Sequence, residues 1–211
     1  MRATLIGRFL LLAIVWLAVL LPVWYWAAPW LATPPIWLAG TVMKALFSWA
    51  QDFEQHGVTA VLNTLVQVRM KGPHGADLLG ELAPEASYPT YGYGLVLLWA
   101  MLLASRTRRW WLKGLIGSVI LIPVQAWGLC FQWLRDVVLL SGPDGAAYLN
   151  YPGWVNNVVA YGYQLGFLML TPVAPIMLWL LFNKRFVAAL WLEAALDGAP
   201  EEKPANAPPA S

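Results

Sequence analysis

With 211 residues, of which 60% are hydrophobic and only 11% charged, the chain carries too little polar surface for an ordinary soluble domain. A formal charge of +2 is too small to mark a nucleic-acid binder, and the basic residues sit in short clusters beside apolar runs, the pattern of topology signals. Cys130 is the single cysteine, which excludes an internal disulfide and a cysteine-based metal cluster within one chain.

The first apolar run, residues 5–26, follows Arg2 and Arg8 and closes on Trp24, Tyr25, Trp26 and Trp30, rings of the kind that gather at a membrane interface. It reaches the ~20 residues needed to cross ~30 Å of hydrocarbon. The run is long for a signal-peptide core and Ala27-Ala28-Pro29-Trp30 is a poor cleavage site, so residues 1–30 read as an uncleaved first span, kinked at its outer end by Pro22. Residues 31–90 then form an outer loop. Thr33, Pro34 and Pro35 read as a cap followed by helix-starting prolines. Ile36, Trp37, Met43, Leu46, Phe47, Ala50 and Phe53 recur near helical spacing and predict an interfacial helix reaching His56, with Lys44, Asp52 and Glu54 on its wet face. Gly57 breaks it. Residues 58–70 alternate and are rich in β-branched side chains, predicting one or two short strands. Residues 71–90 read as loop, with one or two helical turns over 76–82.

Residues 91–190 hold three more spans with short loops. The second covers 91–104, short for a bilayer, and is followed by Arg106, Arg108, Arg109 and Lys113. The third runs over 114–133 and continues as helix through Leu140, where Ser141, Gly142 and Pro143 stop it. The fourth occupies 158–182, before Lys184 and Arg185. Residues 191–211 form a tail, Ala-, Pro- and Glu-rich from Gly198 and largely disordered. The prediction is an all-α membrane protein with about four transmembrane helices, an interfacial helix and one or two short strands.

By this topology nine basic residues (Arg2, Arg8, Arg106, Arg108, Arg109, Lys113, Lys184, Arg185, Lys203) share the side of the amino terminus, against four opposite (Lys44, Arg69, Lys71, Arg135). The positive-inside rule then predicts a multi-pass protein of the bacterial inner membrane with both termini cytoplasmic. Membrane lipid is a partner on this reading, and nucleic acid is not.

One motif recurs: Tyr91-Gly92-Tyr93-Gly94 opens the second span and Tyr161-Gly162-Tyr163-Gln164 the fourth. A duplicated hairpin would produce it. The simpler account is that tyrosines favour interfaces and glycines favour helix contacts. On the third span, Gly114, Ser118, Gln125, Gln132 and Asp136 recur at intervals of four and seven and share one helical face. Such a stripe should face protein, as packing glue or, less simply, as a substrate path, with Gln164 and Thr171 as partners across the bundle.

Cys130, Arg135, His56 and His74 fall towards the outer side and would make a nucleophile, an oxyanion donor and a base if brought together. Five residues are ~140° around a helix, so Cys130 and Arg135 should face different ways, and a lone cysteine in an apolar run is usually a small buried side chain. Asp77, Glu81 and Glu85 are spaced for one helical face but read as a solvated one, not a metal site. Arg106 to Lys113, with Trp110 and Trp111, would suit anionic headgroups, although orientation is the simpler role. No cofactor or metal is implied.

Tyr91-Gly92-Tyr93-Gly94-Leu95 opening a span, a basic break, and Pro123-Val124-Gln125-Ala126-Trp127-Gly128 running into Cys130 and Trp133 carry a family likeness. On these residues the chain resembles the exosortase-associated small integral membrane proteins, in particular the exosortase H-associated type of Gram-negative bacteria. The resemblance implies a non-catalytic accessory protein beside a membrane transpeptidase-like enzyme that processes carboxy-terminal sorting tails, with an exosortase or its sorted substrate as partner. Exosortases themselves carry a cysteine in a Cys-Ser-Gly-type context, then an arginine and a histidine on later helices. Here Phe131 and Gln132 follow Cys130 and no histidine lies beyond it, so the enzyme's own pattern is absent. The alternatives are an intramembrane cysteine peptidase or transpeptidase using Cys130, and a small permease subunit using the polar stripe.

Overall fold

A computed structural model describes residues 5–71 and 77–197, with eight α-helices and five short strands among them. Helix α1 (Leu5–Leu31) is apolar all round beyond Arg8 and continues through Pro22 and Pro29. Pro34 and Pro35 have no N–H for the carbonyls of Trp30 and Leu31, so the chain restarts there as α2 (Thr33–Leu46) with prolines in its first turn. Ile36, Ala39, Gly40 and Met43 form the buried stripe of α2, and it lies against α4 (Trp110–Leu140).

The helix expected to reach His56 ends at Leu46, and Phe47 is already extended (φ −124°, ψ 116°). Residues beyond it form β1 (Ala50–His56). An irregular register between Ala50 and Asp52 puts Ala50 and Phe53 on one face of this strand, three residues apart, a spacing that mimics a helix. Gly57 (φ +63°) opens a two-residue turn into β2 (Thr59–Thr64), which buries Ala60, Leu62 and Thr64.

Strand β3 (Gln67–Lys71) pairs antiparallel with β4 (Asp77–Glu81), and β5 (Glu85–Ser87) pairs with β2, giving a three-stranded β1-β2-β5 sheet and a separate two-stranded one. The strands expected over 58–70 are therefore β2 and β3. Over the described part of 76–82, residues 77–82, the expected helical turns are absent. Residues 77–81 take β3 as a partner one for one from Lys71↔Asp77 to Gln67↔Glu81, so Asp77, Glu81 and Glu85 share no helical face.

Helix α3 (Pro89–Ser105) lies at the centre of the bundle, against α1, α4 and α7 (Thr171–Phe182), and more than half of its residues are buried. The remaining elements are α5 (Gly142–Leu149), α6 (Gly153–Gln164), a wide π turn over Leu165–Leu170 that joins α6 to α7, and α8 (Lys184–Asp197). The last helix occupies the first residues of the segment read from sequence as a tail; the rest of that tail, from Gly198, lies outside the described residues. Among the described residues, three stretches are long and apolar enough to cross a membrane: Ile6–Leu31, Trp110–Leu140 and Gly153–Phe182. The apolar α3, with 17 residues, is shorter.

Two apolar clusters hold these parts together. The larger joins the sheet to the carboxy-terminal end of α1, to α2 and to the second half of α4 through Leu62, Val66, Tyr88, Leu129, Trp133 and Val137. The smaller lies at the opposite end, where Leu98, Met101, Leu102, Leu121 and Trp179 meet Phe9 and Phe186. The two ends of the bundle thus differ: one carries the sheet, the other the basic residues of the α3–α4 and α7–α8 junctions.

Candidate functional site

The sheet end of α4 collects both tyrosine–glycine motifs. Tyr91 of α3 packs its ring on Gly128 and Phe131 packs on Gly162 of α6, each ring occupying the space a Cβ would need. Close approach of this kind is what small residues permit at helix contacts. The motifs therefore flank the same turns of α4, those leading to Gln132, Arg135 and Asp136.

There the Arg135 guanidinium donates through Nε (2.8 Å) and Nη2 (2.6 Å) to Oδ1 of Asp136 and lies 4.3 Å from the centre of the Tyr163 ring. This is a charge pair supported by a cation–π contact. Tyr91 is in electrostatic reach of Tyr163, Arg135 and Asp136. Gln132 donates from Nε2 to the Glu85 carbonyl of β5 (3.3 Å). Its Oε1 and the Tyr91 hydroxyl are buried with no hydrogen-bond partner among the described residues. Unpaired buried polar groups are costly, and these two lie beside the charge pair; Trp24 Nε1 and the Tyr88 hydroxyl are also unpaired among the described residues. The arrangement offers hydrogen bonding and charge.

The sheet is fixed to the same helix. Trp133, fully buried, donates from Nε1 to the Ala60 carbonyl of β2 (3.1 Å), and Thr64 donates to the Leu82 carbonyl (2.6 Å). Arg69 of β3 pairs with Asp144 of α5 (2.8 Å), while Trp49 donates to the Tyr151 hydroxyl (2.7 Å). Burial raises the Tyr151 hydroxyl above its ordinary pKa, and that of Tyr88, at the start of α3, to about 12. Both remain protonated at neutral pH.

The nucleophile set expected as a rival is not assembled among the described residues. Cys130 is buried and its thiol contacts the Ala39 carbonyl of α2 (3.6 Å), whereas Arg135 faces α6, in keeping with the ~140° between them. His56 closes a strand, not a helix; its ring is largely exposed and stands 3.6 Å from Glu54. His74 lies outside the described residues.

Along the polar stripe, Gly114 packs on Trp99, and Ser118 accepts from Trp99 Nε1 (3.0 Å) while donating to the Gly114 carbonyl (2.7 Å). Gln125 is buried, and Gln132 and Asp136 are engaged as described. Gln164 is exposed, and buried Thr171 donates to the Gly166 carbonyl of its own π turn (2.8 Å), so neither forms the expected bond to the stripe. Tyr91, Tyr163 and Trp133 escaped the sequence reading as site residues. The repeated tyrosine–glycine motif was the signal that pointed to two of them.

No curated protein and no solved structure matches the chain. A family model described as exosortase H-associated membrane protein matches residues 3–186, a stretch that contains the bundle, the sheet and the whole of the polar cluster on α4. The chain therefore belongs to the exosortase H-associated membrane proteins.

Proposed function

We propose that this protein is a non-catalytic accessory subunit of an exosortase sorting system in the bacterial inner membrane, a multi-pass protein with both termini in the cytoplasm. Its sheet and the polar end of α4 stand on the outer side, where they contact the exosortase or the tail of its sorted substrate. The observation that carries this reading is the family match over residues 3–186, whose description names association with an exosortase. The unpaired Gln132 Oε1 and Tyr91 hydroxyl beside the Arg135–Asp136 pair support placing the contact there.

The test is a photocrosslinking residue at Leu79 or Gln132 in cells that make the exosortase, followed by measurement of tail processing. A crosslink to the exosortase or its substrate is the expected result; crosslinks to neither would remove the accessory reading. In the same cells, Cys130→Ala should leave processing within about twofold of the parent, since the thiol is spent on packing. Processing lost at normal protein abundance would instead establish the cysteine-enzyme reading.

A further inference from the structure

At the end opposite the sheet, the α3–α4 and α7–α8 junctions line an open pocket of about 440 Å³. Its cations come from both junctions: Arg108 and Lys113 from one, Lys184 and Arg185 from the other. Its floor is built. Asn183, 3% exposed, accepts at Oδ1 from Lys113 Nζ (2.7 Å) and from the Thr107 hydroxyl (2.7 Å), and donates from Nδ2 to the Trp179 carbonyl (2.9 Å). Lys113 Nζ also reaches Thr107 Oγ1 (3.1 Å). These two neutral oxygens hold the ammonium in place without neutralising it. Among the described residues no carboxylate pairs with any of the four cations.

Topology signals alone would not require this arrangement. The positive-inside rule is satisfied by cations anywhere near a helix end, pointing into water. Here two junctions about seventy residues apart in sequence are tied together by Lys113 and Asn183, so that the cations of both line one pocket, Lys113 half-buried and Arg108, Lys184 and Arg185 exposed. Convergence of like charge is unfavourable unless an anion occupies the centre. Exposed Trp110 and Trp111 on the first turn of α4 are suited to the headgroup layer, and Phe186 gives the pocket an apolar wall. Phe186 also lines a neighbouring groove of about 590 Å³, where Phe9, Leu11 and Leu12 offer apolar surface and Arg8 and Arg106 two further cations.

We propose that the pocket binds the phosphate of an anionic phospholipid headgroup. A zwitterionic lipid offers the same phosphate but brings its own cation into a site that already holds four, so phosphatidylglycerol or cardiolipin should be preferred over phosphatidylcholine.

The full-length protein in nanodiscs or detergent, titrated with phosphatidylglycerol and with cardiolipin and followed by native mass spectrometry and thermal unfolding, tests this. Arg108→Gln and Arg185→Gln should each weaken anionic-lipid retention about fivefold, the loss of one cation near a charged headgroup. Arg109→Gln, the same charge change one residue outside the pocket, should change it less than twofold, and Arg108→Lys should retain most of it. All four variants change surface arginines, at three positions, and unaltered monodispersity in detergent confirms that each variant folds. Equal losses in R108Q, R185Q and R109Q would overturn the site, because they would reduce it to diffuse charge. Inorganic phosphate raising the unfolding temperature as much as phosphatidylglycerol in lipid-free detergent would overturn the lipid assignment and make the ligand a soluble phosphate.

Discussion

Gly94 lies where α3 meets α7, and a Cβ there would stand 2.6 Å from the backbone oxygen of Thr171. The reason lies on α7: Pro175 has no N–H, so the Thr171 carbonyl lacks its usual donor four residues on and is free to face α3. Only a glycine lets the two backbones come this close, with the Cα–H of α3 facing a carbonyl that has no helical donor. Gly94→Ala must therefore push α3 and α7 apart, at a cost of about 1–3 kcal/mol by the usual penalty for overpacking. Thermal unfolding in detergent should show a clear fall for Gly94→Ala and almost none for Gly153→Ala, where nothing lies within 4 Å. At this scale the sequence was informative about which residues matter and silent about what they touch. The spacing of Tyr91, Gly94, Tyr161 and Gly162 is visible in the chain, but that both motifs converge on α4 depends on helix order and rotation, which no local pattern encodes. The polar stripe has the same limit. Its face is fixed by the 3.6-residue repeat, whereas Gln164 and Thr171 do not share a face, because the π turn at Leu165–Leu170 between them shifts the phase of α7 relative to α6.

Among the elements, α4 is the one to which the others are referred. Its first half packs on α3 and its second half carries the sheet through Trp133 and Gln132. Trp133→Phe keeps most of the ring but removes the donor to the Ala60 carbonyl, the loss of one buried hydrogen bond, at a cost of about 0.5–1.5 kcal/mol. The loss belongs to the sheet. Hydrogen exchange on the purified variant should speed up across β1, β2 and β5 while the amides of α1 and α7 keep their protection; a uniform rise over all elements would mean that Trp133 supports the whole fold instead. The long apolar helices and the strands over residues 58–70 were legible because each repeats one period over many residues. The stretch from Phe47 to Phe53 was not, because the irregular register at Ala50–Asp52 gives a strand the three-residue spacing of a helix. Residues 77–81 carry too short a pattern to speak for themselves, and their strand character is supplied by β3.

Over the whole molecule, the surface of α1, α4 and the α6–α7 helix is studded with exposed Leu, Ile, Val and Trp, which water would penalise along its full length and hydrocarbon does not. The sheet end is different. Short strands with open edges carry backbone groups that lipid cannot satisfy, so the sheet belongs beyond the hydrocarbon. The length of α4 fits this division: 31 residues at ~1.5 Å each give ~46 Å, against a hydrocarbon core of ~30 Å, so about ten residues project. With the Arg108 and Lys113 end held at one headgroup layer, the projecting turns are those of Gln132, Arg135 and Asp136, and the polar cluster stands at the opposite boundary. The proposed sidedness rests on charge: by the positive-inside rule the end with the basic junctions is expected in the cytoplasm. In a Cys130→Ala background, an impermeant maleimide added to spheroplasts should label Gln51→Cys on β1 and leave Ala207→Cys unlabelled until the membrane is opened. Labelling of Ala207→Cys alone would invert the molecule and place its sheet, and the partner it is proposed to meet, on the cytoplasmic face.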